Sequence, residues 1–311
     1  MSFVVVFPGQ GSQAVGMLAE LAEAHASVAA TFEEASDALG FDLHKLIREG
    51  PADTLNRTEN TQPALLAAGI AVWRLWEEQG GAPPAALAGH SLGEYTALAA
   101  AGVFGFADAL RLVRLRGQFM QEAVPAGTGA MAAIIGLDAA AVGKTCAAVR
   151  ELGIVSPANL NSPTQIVISG ERAAVEKAGV LASEAGAKRV IPLAVSVPSH
   201  CALMRPAAER LAAALAELDP KAPTIPVVNN ADVAAPNDPT EIADALVRQL
   251  TQPVRWTEVV ENLRDDYQAE TLLEFGPGAV LTGLGRRIDR SLKGFAVNDP
   301  VGLDAALAAT Q

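Results

Sequence analysis

The sequence predicts an α/β fold: a parallel-sheet core interrupted by an inserted βαββαβ unit. Three observations carry this. Short apolar runs rich in β-branched residues alternate with helical patterns along most of the chain. One apolar segment runs directly into Gly89-His90-Ser91-Leu92-Gly93, a strand-to-helix turn. Between Thr128 and Leu193 the pattern becomes strand, helix, strand, strand, helix, strand.

Phe3 to Phe7 reads as a buried strand ended by Pro8-Gly9. Helical patterns follow from Leu18 to Leu39. The next helix is expected to begin near Thr61-Gln62-Pro63, with proline in its first turn, and to stop at Gly80-Gly81. Ala85 to Ala88 leads into the glycine-flanked serine, and a helix then runs to Gly102. Asp108 to Ala123 is the next helix. Met131–Ile135, Ile154–Val155, Gln165–Ser169 and Arg189–Leu193 read as strands, and Ala139–Arg150 and Glu171–Ala185 as helices. That order is the split βαβ of a ferredoxin-like unit. Beyond Ser199 the core resumes, with strands at Ile225–Val228 and Thr271–Phe275 and helices between and after them.

At roughly 100–200 residues per domain, 311 residues allow one large domain or two smaller ones. Half the residues are hydrophobic, so a sizeable core is available. The net charge of −12 argues against a general nucleic-acid surface and requires an acidic partner to dock on a local basic patch. Cys146 and Cys201 read as reduced thiols of a cytoplasmic protein. No metal-ligand spacing, signal peptide or membrane span is evident.

Gly89-His90-Ser91-Leu92-Gly93 fits Gly-x-Ser-x-Gly. Such an elbow projects its serine freely, and the following helix start offers N–H groups and a positive dipole end to a developing oxyanion. The plain alternative is a serine that caps an ordinary helix. Of four histidines, His25 and His44 lie in polar helical stretches, and His90 leaves the elbow in another direction. His200, at a loop-to-helix junction, is the candidate base. No acidic third member is obvious, and a backbone carbonyl is able to orient the imidazole instead.

On a helical wheel Arg116 falls on the apolar face with Leu112, Val113 and Met120. A buried guanidinium needs an anion. A core carboxylate, an outward-snorkelling side chain and a substrate carboxylate all remain open on periodicity alone. Gly9-Gln10-Gly11-Ser12-Gln13-Ala14 imitates a dinucleotide fingerprint, but Glu33 and Glu34 lie in a helical pattern with no strand before them. A loop of this kind also suits backbone donation to an oxyanion.

These motifs together resemble the bacterial malonyl-CoA:acyl carrier protein transacylases. The resemblance rests on Phe7-Pro8-Gly9-Gln10-Gly11-Ser12-Gln13, Gly89 to Tyr95, Arg116, Val197-Pro198-Ser199-His200 and Glu274-Phe275-Gly276-Pro277-Gly278, and it covers essentially the whole length. It implies a hydrolase-like catalytic core over residues 1–126 and 198–311 and a ferredoxin-like subdomain over 127–197. It implies Ser91 as nucleophile, His200 as base, and an oxyanion hole from the N–H groups of Gln10 and Leu92. It further implies a Gln249 backbone carbonyl holding His200, Arg116 on the substrate carboxylate, and Asn159 and Asn161 against the pantetheine arm. The expected substrates are malonyl-CoA and an acidic acyl carrier protein of fatty acid biosynthesis, with no cofactor or metal, in a monomer. Polyketide acyltransferases share many of these motifs, and an esterase or thioesterase shares the Ser–His chemistry. The densest basic run, Arg286, Arg287, Arg290 and Lys293, is read as one helical face and a candidate carrier-docking patch, with Lys188 and Arg189 as a second.

Overall fold

The computed structural model describes residues 2–125, 127–194 and 197–311. The strands are β1 (Phe3–Phe7), β2 (Leu87–Gly89), β3 (Gly129–Ile135), β4 (Val155–Ser162), β5 (Gln165–Glu171), β6 (Arg189–Pro192), β7 (Val227–Val228), β8 (Thr271–Phe275) and β9 (Lys293–Val297). The helices of the first half are α1 (Ala19–Ala24), α2 (Ala26–Leu39), α3 (Leu43–Glu49), α4 (Ala52–Leu55), α5 (Thr58–Glu78), α6 (Leu92–Ala100) and α7 (Phe106–Ala123). Those of the second half are α8 (Ala139–Ala148), α9 (Arg172–Glu184), α10 (Arg205–Ala216), α11 (Pro239–Gln249), α12 (Trp256–Asp265), α13 (Val280–Ile288) and α14 (Pro300–Thr310).

The core sheet has the order β7-β2-β1-β8-β9, and every pair in it is parallel. Its central strand β1 is buried at all five positions, as a parallel strand covered on both faces must be. Alternation divides it: Phe3, Val5 and Phe7 join the larger core cluster with α2, α5 and α7, while Val4 and Val6 pack with residues of α12 and α13. The chain winds from β1 through β2 to β7, then returns to the other side of β1 for β8. The strand order therefore reverses between β1 and β8, and open α/β sheets place ligands at the carboxyl ends of the strands beside such a topological switch point.

The serine turn needs its glycines. A Cβ on Gly89 would lie 1.8 Å from the Gly93 carbonyl carbon, and one on Gly93 would lie 2.0 Å from the Phe7 carbonyl oxygen. No larger side chain lets α6 start this close to β1 and β2.

The second sheet has the order β4-β5-β3-β6 and is antiparallel throughout, with the βαββαβ connectivity read from the sequence. Ala132 and Ile134 of β3 face α8 and α9 on one side. Met131 and Ala133 face Ala158, Val167 and Leu193 on the other. β4 also ties this sheet to the core: Leu160 N–H donates to the Val254 carbonyl and Val254 N–H to the Ala158 carbonyl, each at 2.8 Å.

Several boundaries differ from the sequence reading. The Leu18–Leu39 pattern is two helices, broken where His25 is extended. α5 begins at Thr58, so Pro63 lies inside it rather than in its first turn. Its start is set by packing: α7 presents Gly117, whose missing Cβ leaves room for the backbone of Thr58 and Glu59. β4 runs eight residues, not two; its Pro-Ala-Asn-Leu-Asn stretch has poor strand propensity and pairs through bulges with β5. β9 was missed, because Lys293-Gly294 at a sheet edge breaks the apolar pattern. Among the described residues no helix is long and apolar enough to cross a membrane, and Cys146 and Cys201 are buried free thiols.

Candidate active site

Ser91 follows β2 as the N-cap of α6, with φ 53° and ψ −106°. For a residue with a Cβ this left-handed φ is strained, and the surroundings must hold it. Asn230, just past β7, does so across the sheet end. Its Oδ1 accepts the Ser91 N–H at 2.7 Å, and its Nδ2 donates to the Gly89 carbonyl at 2.7 Å. The Ser91 N–H is thereby occupied. The next N–H, of Leu92, opens the helix and has no intrahelical acceptor.

Ser91 Oγ lies 2.7 Å from His200 Nε2, and His200 Nδ1 lies 2.8 Å from the Gln249 carbonyl oxygen. A carbonyl only accepts, so Nδ1 carries the proton and Nε2 is left to accept from the serine hydroxyl. His200 is itself at φ 60° and almost fully buried. Burial, and after it the charge of Arg116, push its pKa down to about 3, against the pull of the Gln249 carbonyl.

Arg116 is 1% exposed on α7, as its wheel position required. Its Nη2 donates to Gln249 Oε1 at 3.0 Å and approaches Ser91 Oγ at 3.4 Å; its guanidinium lies 5.1 Å from the Tyr95 ring centre. Its Nε has no protein partner among the described residues, and no ion pair found among them includes it. No carboxylate among the described residues pairs with it directly; the buried Glu94 acts on it only at longer range.

Gln10, Ser91, Leu92, Arg116, Asn159 and His200 line one cleft of about 100 Å³, closed by Met120, Met131 and Leu193. Asn159 presents a buried Oδ1 without a hydrogen-bond partner among the described residues. Asn161 does not join the lining: its Oδ1 is 2.8 Å from His90 Nε2, and the His90 ring packs on Trp256. The expected basic helical face also needs correction. α13 ends at Ile288, where Asp289 accepts the Ser291 N–H and hydroxyl in a turn that stops the helix. Arg290 sits in that turn and Lys293 opens β9, so only Arg286 and Arg287 are helical, and Arg287 bonds to Gln165 of β5.

Sequence reasoning missed Asn230 and Glu94. Glu94 is buried one turn into α6, and its Oε2 accepts from the Asn230 N–H and Gln249 Nε2, both at 2.8 Å. Burial raises its pKa to about 7 despite those bonds. The available signals were a carboxylate three residues past the serine and two asparagines directly after an apolar strand.

A neutral His200 at low pH has a kinetic consequence. An imidazole at the ordinary 6.5 would lose roughly 25-fold of its basic form between pH 7 and 5. Single-turnover acylation of Ser91 is expected to fall less than about threefold over that range; an acid limb centred near 6.5 would contradict the buried base. Folding responds with the opposite sense at the two groups. His200, lowered in the folded state, withdraws stability as the pH falls below 6.5. Glu94, raised, contributes stability that is complete below 4.5 and is lost as the pH rises through about 7.

A parallel sheet that offers an elbow serine to a carbonyl-held histidine defines a serine enzyme of the acyl-transfer class. Residues 4–303 match the family model described as acyl transferase domain. The malonyl CoA-acyl carrier protein transacylase of Salmonella typhimurium strain LT2 is 59% identical over 305 residues, 98% of each chain. That of Escherichia coli K12 is 58% identical over the same share. The crystal structure of an acyl carrier protein S-malonyltransferase from Vibrio cholerae superposes with a TM-score of 0.96 at 61% identity, covering 98% of this chain and 99% of that one. A malonyl-transacylase solved in complex with its type II PKS acyl-carrier protein gives 0.98 at 56% identity, covering 99% and 100%. The chain belongs to the acyl transferase family, among the bacterial malonyl-CoA:acyl carrier protein transacylases.

Proposed function

We propose that this chain moves the malonyl group from malonyl-CoA to the pantetheine thiol of acyl carrier protein, in fatty acid biosynthesis, through a malonyl ester on Ser91. The observation that carries the reading is a buried guanidinium in no direct ion pair among the described residues, 3.4 Å from a serine hydroxyl that is hydrogen-bonded to a neutral histidine. His200 Nε2 takes the Ser91 proton as Oγ attacks the thioester carbonyl. The oxyanion is met by the N–H groups of Gln10 and Leu92. The C–S bond breaks, and His200 returns the proton to the departing CoA sulfur. The pantetheine thiol then gives its proton to His200 and attacks the ester, and Ser91 leaves as the hydroxyl. Arg116 holds the malonyl carboxylate throughout. Every step exchanges a proton or an acyl group, so no cofactor enters. Asn159, with its free amide oxygen, is the better placed of the two asparagines for the pantetheine arm. In this reading residues 127–197 form a subdomain over a catalytic core of 1–126 and 198–311.

An acidic carrier protein approaching a chain of net charge −12 needs local positive potential. Arg286, Arg287, Arg290 and Lys293 are all exposed and remain the proposed docking patch, as a helix end and turn rather than a helical face. One experiment tests the reading. Intact-protein mass is followed after mixing with malonyl-, acetyl- or methylmalonyl-CoA, and again after adding holo carrier protein. One malonyl adduct on the Ser91 peptide, discharged to the carrier, is expected. Rapid hydrolysis of malonyl-CoA without carrier would favour the esterase. Reversing the charge of Arg286 and Arg287 is expected to slow only the discharge, less so at high salt; equal slowing with free pantetheine would remove the patch from consideration.

A further inference from the structure

Gln249 ends α11, and its backbone carbonyl has one task, holding His200. Its side chain, fully buried, makes three further bonds that this task does not explain. Oε1 accepts from Arg116 Nη2 at 3.0 Å. Nε2 donates to the Ser91 backbone carbonyl at 3.0 Å and to Glu94 Oε2 at 2.8 Å. Arg116 only donates and the Ser91 carbonyl only accepts, so the amide has one satisfiable orientation.

We infer that the Gln249 side chain is a positioning residue that aims Arg116 at the acyl pocket while leaving its charge unneutralised. This deepens, and rests on, the reading of Arg116 as the carboxylate partner. A carboxylate at this position would form a close buried pair with the guanidinium, and a substrate carboxylate would then have to compete with it. A neutral amide fixes the geometry and leaves the anion vacancy. The nearest acid on this path, Glu94, is kept one amide away, gripped by the opposite end of the same side chain. Acyl selection through Oε1 and base orientation through the backbone carbonyl thus meet in one residue. The elbow is included, since Nε2 also holds the Ser91 carbonyl.

The test compares single-turnover acylation by malonyl-CoA and acetyl-CoA in the wild type, Gln249→Glu, Gln249→Met and Arg116→Ala. Gln249→Glu is expected to lower the malonyl-to-acetyl rate ratio by about a hundredfold, chiefly by raising the KM for malonyl-CoA. Gln249→Met, which removes the aim but not the charge, is expected to fall between it and the wild type. Gln249→Met keeps both the backbone carbonyl and the Arg116 charge, so its remaining acylation should keep the wild-type pH profile, whereas the carboxylate of Gln249→Glu offsets that charge and should move the acid limb up. A wild-type ratio in Gln249→Glu, with the ratio lost in Arg116→Ala, would overturn the inference alone. An unchanged ratio in Arg116→Ala would overturn the carboxylate reading beneath it. Should Gln249→Glu fail to fold, an unchanged ratio in Gln249→Met overturns the inference and a reduced one sustains it.

Discussion

Ser91→Ala is expected to abolish acyl-enzyme formation and to lower transfer by about ten-thousandfold or more, on the scale seen when a serine nucleophile is removed. The structure separates this loss from misfolding. The elbow is held by the Ser91 backbone, through its N–H on Asn230 and its carbonyl on Gln249 Nε2, and by the clearances at Gly89 and Gly93. The side chain contributes only the bonds of Oγ to His200 and Arg116. Alanine carries the same Cβ at the same positive φ, so no new strain arises. Thermal unfolding should therefore stay within about 1 kcal/mol of the wild type, the usual worth of a single hydrogen bond. Intact mass after malonyl-CoA gives the answer directly. A variant that still gains a malonyl group at near wild-type rate would place the nucleophile elsewhere.

What the sequence made legible follows from where each constraint lives. The elbow was readable because its glycines answer a local steric demand, and that demand is written in the same five residues. Arg116 was readable as buried because helical period alone fixes its face. Its role was not, since whether a carboxylate pairs directly with it is a tertiary fact. The βαββαβ order survived because its strands and helices differ in period. Nearly all of β4 beyond Val155 did not show, because its partners β5 and Val254 impose the strand on residues that do not prefer it. The end of α13 was misread because a side-chain turn at Asp289 outcompetes a good helical pattern. Gln249 illustrates the limit. A backbone carbonyl has no sequence signature, so its hold on His200 came only from family resemblance, and the three bonds of its side chain came only from the structure.

Arg116→Ala is expected to weaken malonyl transfer by about 2–5 kcal/mol, the usual cost of losing one partner of a buried charge pair. Acetyl transfer should suffer far less, because an acetyl group offers no carboxylate to the missing guanidinium. The comparison is informative because Arg116 also touches the machinery directly. Its Nη2 approaches Ser91 Oγ, and its charge helps to keep His200 neutral. Removing the cation should raise the pKa of His200 from about 3 toward its ordinary 6.5, moving the acid limb of acylation up for both acyl groups. It also leaves Gln249 Oε1 without its donor, worth about 1–3 kcal/mol of stability. Those effects fall on malonyl and acetyl alike. The excess loss for malonyl, measured as the ratio of kcat/KM values at a pH above both limbs, isolates the carboxylate. A guanidinium whose removal costs both substrates equally would be serving the serine and histidine, and malonyl selectivity would have to come from another group in the cleft.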